Sequence, residues 1–309
     1  MMNEYAIALR KKSDELLKGA LEANFPDFLR FVYPDADQVV DFSKGIQFMD
    51  KELFAIIPNR ERRRDGRRAD LLAKLHLKNG TEKWVLLNVE IEGGNDVDFE
   101  KRVYEYNYRI RDKHKVSVAT IAVFTGGKSQ RKPRVYRDEL LGTVLSFSYL
   151  TYHIFDHDQE ALLKMNNPFA LIALACQKSL LEGKIPEKQL GEERLIIAKA
   201  LLSHNYDHDR ITSFLIFIKN FIYINNEDIN CKFDQLISEL TGGEINMGIL
   251  EIVRMQDRRD GRLEGKLEGK LEGQHEAALK IAAELKKEGL TVDFIAKTTK
   301  LSLEEIASL

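Results

Sequence analysis

The sequence predicts an α/β fold: a mixed β-sheet with helices packed on it over residues 1–158, followed by a helical region and a repeat-bearing tail. Three observations carry that expectation. Segments with strand and helix patterning follow one another as helix, three strands, helix, strand and strand. The pair Asn79-Gly80 between two of those strands is the strongest two-residue hairpin signal. After Gln159 the pattern changes to apolar residues at helical spacing.

The opening segment, Glu4 to Val32, reads as one or two amphipathic helices, with Leu16, Leu17, Leu21, Phe28 and Phe31 near helical spacing and Pro26 starting a new turn. Leu53–Ile57 is a short apolar strand that Pro58-Asn59 ends. Ala69–Leu77 alternates loosely, and Trp84–Ile91 is almost continuously apolar, as a strand covered on both faces should be. The turn joins them into a hairpin that stops at Gly93-Gly94. Asp96–Asp98 then offers caps for a helix over Phe99–Asp112, in which Phe99, Val103, Tyr106 and Ile110 form one stripe. Val116–Phe124 suits a central strand, and Val144–Phe155, rich in β-branched and aromatic residues, reads as one more.

Residues 159–256 carry four apolar-periodic segments, Pro168–Leu181, Glu192–Leu202, Arg210–Ile224 and Phe233–Leu240, and supply bulk and core. The tail, 257–309, contains a four-residue repeat over 261–276: Gly-Arg-Leu-Glu, Gly-Lys-Leu-Glu twice, then Gly-Gln-His-Glu. On a helix this repeat makes separate stripes of glycine, base, leucine and acid. It fits a partnered helix or coiled coil, hence a homo-oligomer, with a flexible charged linker as the alternative, because each glycine costs a helix ~1 kcal/mol against alanine. Ala277–Lys287, Val292–Thr298 and Ser302–Ser308 complete it as short helices, with Gly289 as a C-cap. The last two approximate helix-turn-helix spacing, but Lys300 stands where glycine is favoured. A small docking or dimerising hairpin fits better than a DNA-reading unit.

Composition bounds function loosely. Of 309 residues, 44% are hydrophobic and 31% charged, which excludes wholesale disorder. A net charge of -2 excludes a globally basic coat for nucleic acid but not local patches. Cys176 and Cys231 cannot form a disulfide framework. The start Met1-Met2-Asn3-Glu4-Tyr5 has no leader pattern, and Phe214–Ile224 is too short and too polar at Lys219 and Asn220 to span a bilayer. The expectation is a cytoplasmic protein with no membrane partner.

The chemistry concentrates in the hairpin. Antiparallel pairing across Asn79-Gly80 brings the start of one strand, at Asp70, beside the end of the next, at Glu90. Glu90 and Glu92 share a face by the two-residue period. Converging carboxylates suit Mg²⁺, with Mn²⁺ an alternative, and such a metal stabilises charge developing on a phosphodiester. Acids at strand ends are ordinarily just solvated; the neighbourhood argues otherwise. Residues 60–68 hold six arginines against two acids, Arg63, Arg64, Arg67 and Arg68 among them, and end just before Asp70. Residues 128–137 contain Lys128, Arg131, Lys132, Arg134 and Arg137 with no acid. Two basic loops beside an acidic site are plausible contacts to phosphates.

Three stretches carry a family resemblance: Arg68-Ala-Asp70, Leu87-Asn-Val-Glu90-Ile-Glu92, and a helix with the pattern Phe99-x-x-Arg102-x-x-x-Tyr106. Together they resemble the Rpn family of recombination-promoting nucleases and transposases, in the PD-(D/E)XK nuclease superfamily. The Asn167-Pro168-Phe169 helix opening and the Gly-Lys-Leu-Glu tail are also similar to the family's. The resemblance implies a restriction-endonuclease-like fold and a Mg²⁺-dependent DNA endonuclease, with Asp70 and Glu90 as metal ligands and Glu92 in the third catalytic position. It also implies an acid on the first helix, for which Glu22 is the candidate. Lysine is usual in the superfamily at the third position and glutamine in the family. Glu92 can bind metal or accept a proton, with Lys101 or Arg102 supplying positive charge; alternatively it marks a weakened or inactive nuclease fold that binds DNA or assembles. Arg102 contacts phosphate or pairs with a nearby acid, and Tyr106 belongs to the core stripe.

Two further pairs, His153/His157 and His204/His208, have the i,i+4 spacing of a helical zinc site. Neither has the glutamate that follows the first histidine of the metalloprotease motif, and the first pair ends a predicted strand, so solvated loop residues are the expectation.

Overall fold

A computed structural model describes residues 15–49, 71–80, 82–90, 97–247, 277–289, 291–299, 301–302 and 305–306, with backbone placement alone for 82–90. The protein is mixed α/β and divides into two compact units, Met1–Ile245 and Asn246–Leu309.

Among the described residues, the first element of unit one is helix α1 over residues 15–23. Asn24 breaks it and α2, Phe25–Val32, follows with Pro26 in its first turn, where a missing N–H costs nothing. A short α3, Ala36–Val39, leads to strand β1, Gln47–Phe48. Strand β2, Leu71–His76, and β3, Glu82–Glu90, pair antiparallel with Leu71 opposite Leu87, the hairpin that Asn79-Gly80 predicts. Gly80 has φ +81°, a conformation glycine adopts without strain. Helix α4, Phe99–His114, carries the chain to β4, Val118–Phe124, which runs parallel to β3. Strands β5, Val135–Leu140, and β6, Thr143–Ser148, form a separate hairpin. Strand β7, Leu150–His153, then returns parallel to β4, giving a main sheet in the order β1-β2-β3-β4-β7.

Both faces of this sheet are covered. On one, α4 lays down its predicted stripe: Phe99, Val103, Tyr106 and Ile110 are all buried, against Leu72, Val118, Ala122 and Phe124. Asn107 fixes the helix to β4, its amide donating to the Val118 carbonyl and the Thr120 hydroxyl, both at 2.9 Å. On the other, the Phe31 ring of α2 packs against Tyr152 of β7 (5.0 Å), and the Phe28 and Phe31 rings each meet Phe169 at 4.9 Å.

Two sequence expectations give way here. Val144–Phe155 is not a single strand: β6 and β7 divide it and belong to different sheets. Residues 135–137, read as the end of a basic loop over 128–137, instead begin β5. The turn between β5 and β6 places Leu141 (φ +47°) and Gly142 (φ +80°) in the left-handed region, as a tight primed turn requires. Arg137, Asp138 and Glu139 are exposed, so the hairpin buries no clean alternating face that sequence patterning could reveal.

The helices after residue 158 share this unit: α5, Gln159–Lys164; α6, Pro168–Ser179; α7, Glu187–Leu202; α8, His208–Phe221; and α9, Glu227–Leu240. Helix α6 is buried all round from Phe169 to Lys178, as a central helix should be. Helix α9 starts earlier than its apolar pattern because Asn226 caps it, its side chain accepting from the Ile229 N–H. Arg210 of α8 ties these helices to the first ones by donating to the Asn24 side-chain oxygen Oδ1, at 2.9 Å, and through an ion pair with Asp27. Cys176 is buried on α6, its thiol pushed up to about 12 by burial, while Cys231 is exposed on α9.

In the second unit, α10 (277–287) and α11 (Val292–Thr299) enclose a small core of Ala282, Ile295, Leu301 and Ile306. Gly289 ends α10 at φ +81°, and Ser302 and Glu305 bond each other's backbone N–H groups as a capping box. The Gly-Lys-Leu-Glu repeat and the predicted strand at 53–57 lie outside the described residues.

Candidate functional site

Three parallel strands, β3, β4 and β7, end together. Their last residues form one row across the sheet: Glu90 opposite Phe124, and Phe124 opposite His153. At ~4.8 Å between neighbouring strands, the row spans roughly 10 Å. The carboxyl edge of parallel strands is where connecting loops converge and where open α/β sheets bind ligands.

Helix α4 begins above this row. Its Phe99 ring lies 5.4 Å from that of Phe124 and 6.5 Å from Tyr149. One turn on, Arg102 is buried at 7% exposure, its guanidinium 5.4 Å from the Phe99 ring. Lys101, beside it, is exposed. Glu100 reaches across to an ion pair with Arg131 in the loop after β4. Burial first, and the Glu100 charge second, push the Tyr149 phenol above its ordinary value, against the opposing charges of Arg131 and Arg102. These four residues therefore form one electrostatic cluster.

The loop after β4 is built tightly. The Gly126 N–H donates to the Gln130 side-chain oxygen at 2.6 Å, and the Gln130 N–H donates to the Gly127 carbonyl at 2.8 Å. A Cβ on Gly126 would meet that same glutamine oxygen at 2.6 Å, so a side chain there would displace the Gln130 amide from its hydrogen bond. Beyond the turn, Lys128 Nζ stands 5.6 Å from the Phe155 ring, and Lys132 Nζ stands 3.4 Å from Asp156. Asp156 is anchored by accepting the backbone N–H of His153 at 2.8 Å.

His153 closes the row at 1% exposure. Its ring faces the Gly126–Gly127 backbone, yet among the described residues neither nitrogen makes a hydrogen bond of good geometry. Burial, and secondarily Lys132, hold its pKa below the ordinary histidine value, with Asp156 opposing. Unfolded, the imidazole takes up a proton near pH ~6.5; folded, it does so only at lower pH. Its contribution to stability is thus complete above the unfolded value and is lost as pH falls toward the folded one. Urea midpoints are expected to fall on acidification below about pH 6.5, and less steeply in His153→Gln; parallel curves would contradict this.

Of the residues expected to act, Asp70, Glu92, Arg63, Arg64, Arg67 and Arg68 lie outside the described residues. Glu90 ends β3 in the row just described, and Arg102, Lys128, Arg131 and Lys132 surround that edge from α4 and the β4 loop. Glu22 lies on α1, its carboxylate 3.6 Å from Lys18. Sequence reasoning missed Glu100, Tyr149 and Asp156, and expected His153 to be a solvated loop residue, whereas it is buried as the last residue of β7. Among the described residues, no group of three or more His, Cys, Asp or Glu side chains gathers to hold a metal ion. The His157 ring instead lies 5.4 Å from Phe31 and 5.8 Å from Tyr152.

The fold and edge thus define an α/β protein with a charged carboxyl edge. Compared with known proteins, the chain matches no family model, no curated protein and no solved structure. Among the described residues no helix is long and apolar enough to cross a membrane.

Proposed function

We propose that the protein is a metal-dependent DNA endonuclease of the restriction-endonuclease-like type, acting in the cytoplasm and promoting recombination as the resemblance to the Rpn family implies. The observation that carries this reading is the end of β3. A hairpin strand finishing in Glu90 lies parallel to β4 across α4, whose Phe99-x-x-Arg102-x-x-x-Tyr106 pattern packs above the same edge. The order of helix, three strands, helix and strand agrees with the core expected of that superfamily.

Asp70, one residue before β2, and Glu90 are the oxygen donors assigned to Mg²⁺ or Mn²⁺, and hard carboxylate oxygens suit either ion. When bound, the metal supplies Lewis acidity at the phosphodiester and lowers the pKa of a water. The chain's own residues do the rest. Lys128, Arg131, Lys132 and the arginines at 63, 64, 67 and 68 bind and orient the DNA backbone, and Arg102 stabilises charge from α4. Glu92 accepts a proton or adds a ligand. The Gly-Lys-Leu-Glu repeat at 261–276 supplies the contact for a homo-oligomer.

The test is nicking or cutting of plasmid DNA by the full chain. Cleavage is expected with Mg²⁺ or Mn²⁺ and none in EDTA; identical behaviour with and without metal would refute the reading. A second reading rests on Glu92, which replaces the usual lysine or glutamine: a nuclease fold that binds DNA without cutting it. That reading expects salt-sensitive DNA binding with no cleavage in any metal. Gain of cleavage in Glu92→Gln or Glu92→Lys would show the rest of the apparatus to be intact.

A further inference from the structure

Two cations of the loop after β4 are already engaged. Arg131 is held by Glu100 of α4 and Lys132 by Asp156 of the turn after β7, while both bases belong to the loop after β4. The Glu100 side chain is 13% exposed at the start of α4, whereas Arg131 is 51% exposed. Asp156 is pinned by the His153 backbone N–H at 2.8 Å just beyond the end of β7. Arg131 therefore meets solvent more than its carboxylate partner does, and Glu100 shares its surroundings with Tyr149 and Arg102.

We propose that Glu100 and Asp156 are specificity-determining residues of this edge, holding Arg131 and Lys132 so that the loop takes up phosphates only in exchange for the two carboxylates. The proposal rests on the DNA-binding reading above. The Lys132–Asp156 pair is open to water and therefore weak, and Arg131 is half-exposed, so a phosphate can reach both cations. Each exchange nevertheless leaves a carboxylate beside the incoming phosphate. A lone phosphate replaces one partner and meets the repulsion of the other acid. Duplex DNA, with one charge per ~1.7 Å of axis, offers phosphates to both cations at once and releases its counterions in doing so. The pairs thus select a polyanion over single phosphates.

The test is binding of a labelled DNA duplex to the full chain in EDTA, between about 0.05 and 0.2 M salt, with inorganic phosphate as competitor. Compared are wild type, Glu100→Gln, Asp156→Asn, the double variant and Glu100→Gln/Arg131→Gln. Both single substitutions keep side-chain shape and an acceptor oxygen, and thermal unfolding checks each fold. Each single variant is expected to bind several-fold tighter and to steepen the slope of log affinity against log salt by up to ~0.9. The double variant should do both more strongly and be displaced more readily by inorganic phosphate than wild type. In Glu100→Gln/Arg131→Gln the gain should vanish. Unchanged or weaker binding in folded variants would overturn the proposal. So would a gain that survives loss of Arg131, because the effect would then be general charge, or absence of DNA binding by every variant. Binding that follows the expected pattern without Mg²⁺-dependent cleavage would instead sink the nuclease reading and leave this one standing.

Discussion

Glu90→Ala and Asp70→Ala are each expected to lower metal-dependent DNA cleavage by roughly 10²–10⁴-fold, which corresponds to several kcal/mol of lost charge stabilisation at the reacting phosphate. The protein should stay folded. Glu90 ends its strand, so its side chain can change without disturbing the Leu71–Leu87 pairing that holds β2 to β3. Affinity for DNA measured in EDTA should not fall, because removing an acid from a site flanked by bases relieves repulsion toward phosphate. Loss of cleavage together with loss of the unfolding transition would contradict this, as would cleavage at the wild-type rate.

The largest effect on stability is expected from Phe124→Ala. Phe124 is 1% exposed at the end of β4, where it packs with Phe99, Val103 and Ala122, and Phe147 and Tyr149 flank the cluster. Removing a buried phenyl ring from such a cluster costs about 3–5 kcal/mol, a large part of the ~5–15 kcal/mol that holds a domain together. The urea midpoint should drop accordingly with the slope of the transition unchanged. Because Phe124 also seats the first turn of α4, the variant is expected to loosen the Glu100–Arg131 pair and to reduce DNA affinity in EDTA as well. A midpoint within experimental error of wild type would mean that this cluster does not hold the edge together.

What the sequence discloses and what it hides follow from the range of the interactions. Asn79-Gly80 dictates its hairpin locally, and Phe99, Val103, Tyr106 and Ile110 reveal a buried stripe because a helix repeats within itself. The β5–β6 hairpin stays hidden, since its tight turn uses Leu141-Gly142 and its strands are largely exposed. The row from Glu90 through Phe124 to His153 depends on strand order, which no local pattern encodes. Arg131 and Lys132 stand out in sequence as bases without neighbouring acids. Their partners come from 31 and 24 residues away, so the engagement of both is visible only in three dimensions. Asp70 and Glu92 remain assigned by sequence pattern and resemblance.

The central claim is that carboxylates of the β2–β3 hairpin support phosphodiester hydrolysis. The most direct measurement compares wild type and Asp70→Ala on the same DNA at matched, saturating occupancy, started by adding Mg²⁺ and stopped with EDTA. Wild type is expected to cut at a rate that depends on Mg²⁺, and Asp70→Ala, equally bound and equally folded, is expected not to. Equal cutting by both proteins, or no cutting by wild type with Mg²⁺ or Mn²⁺, would contradict the account.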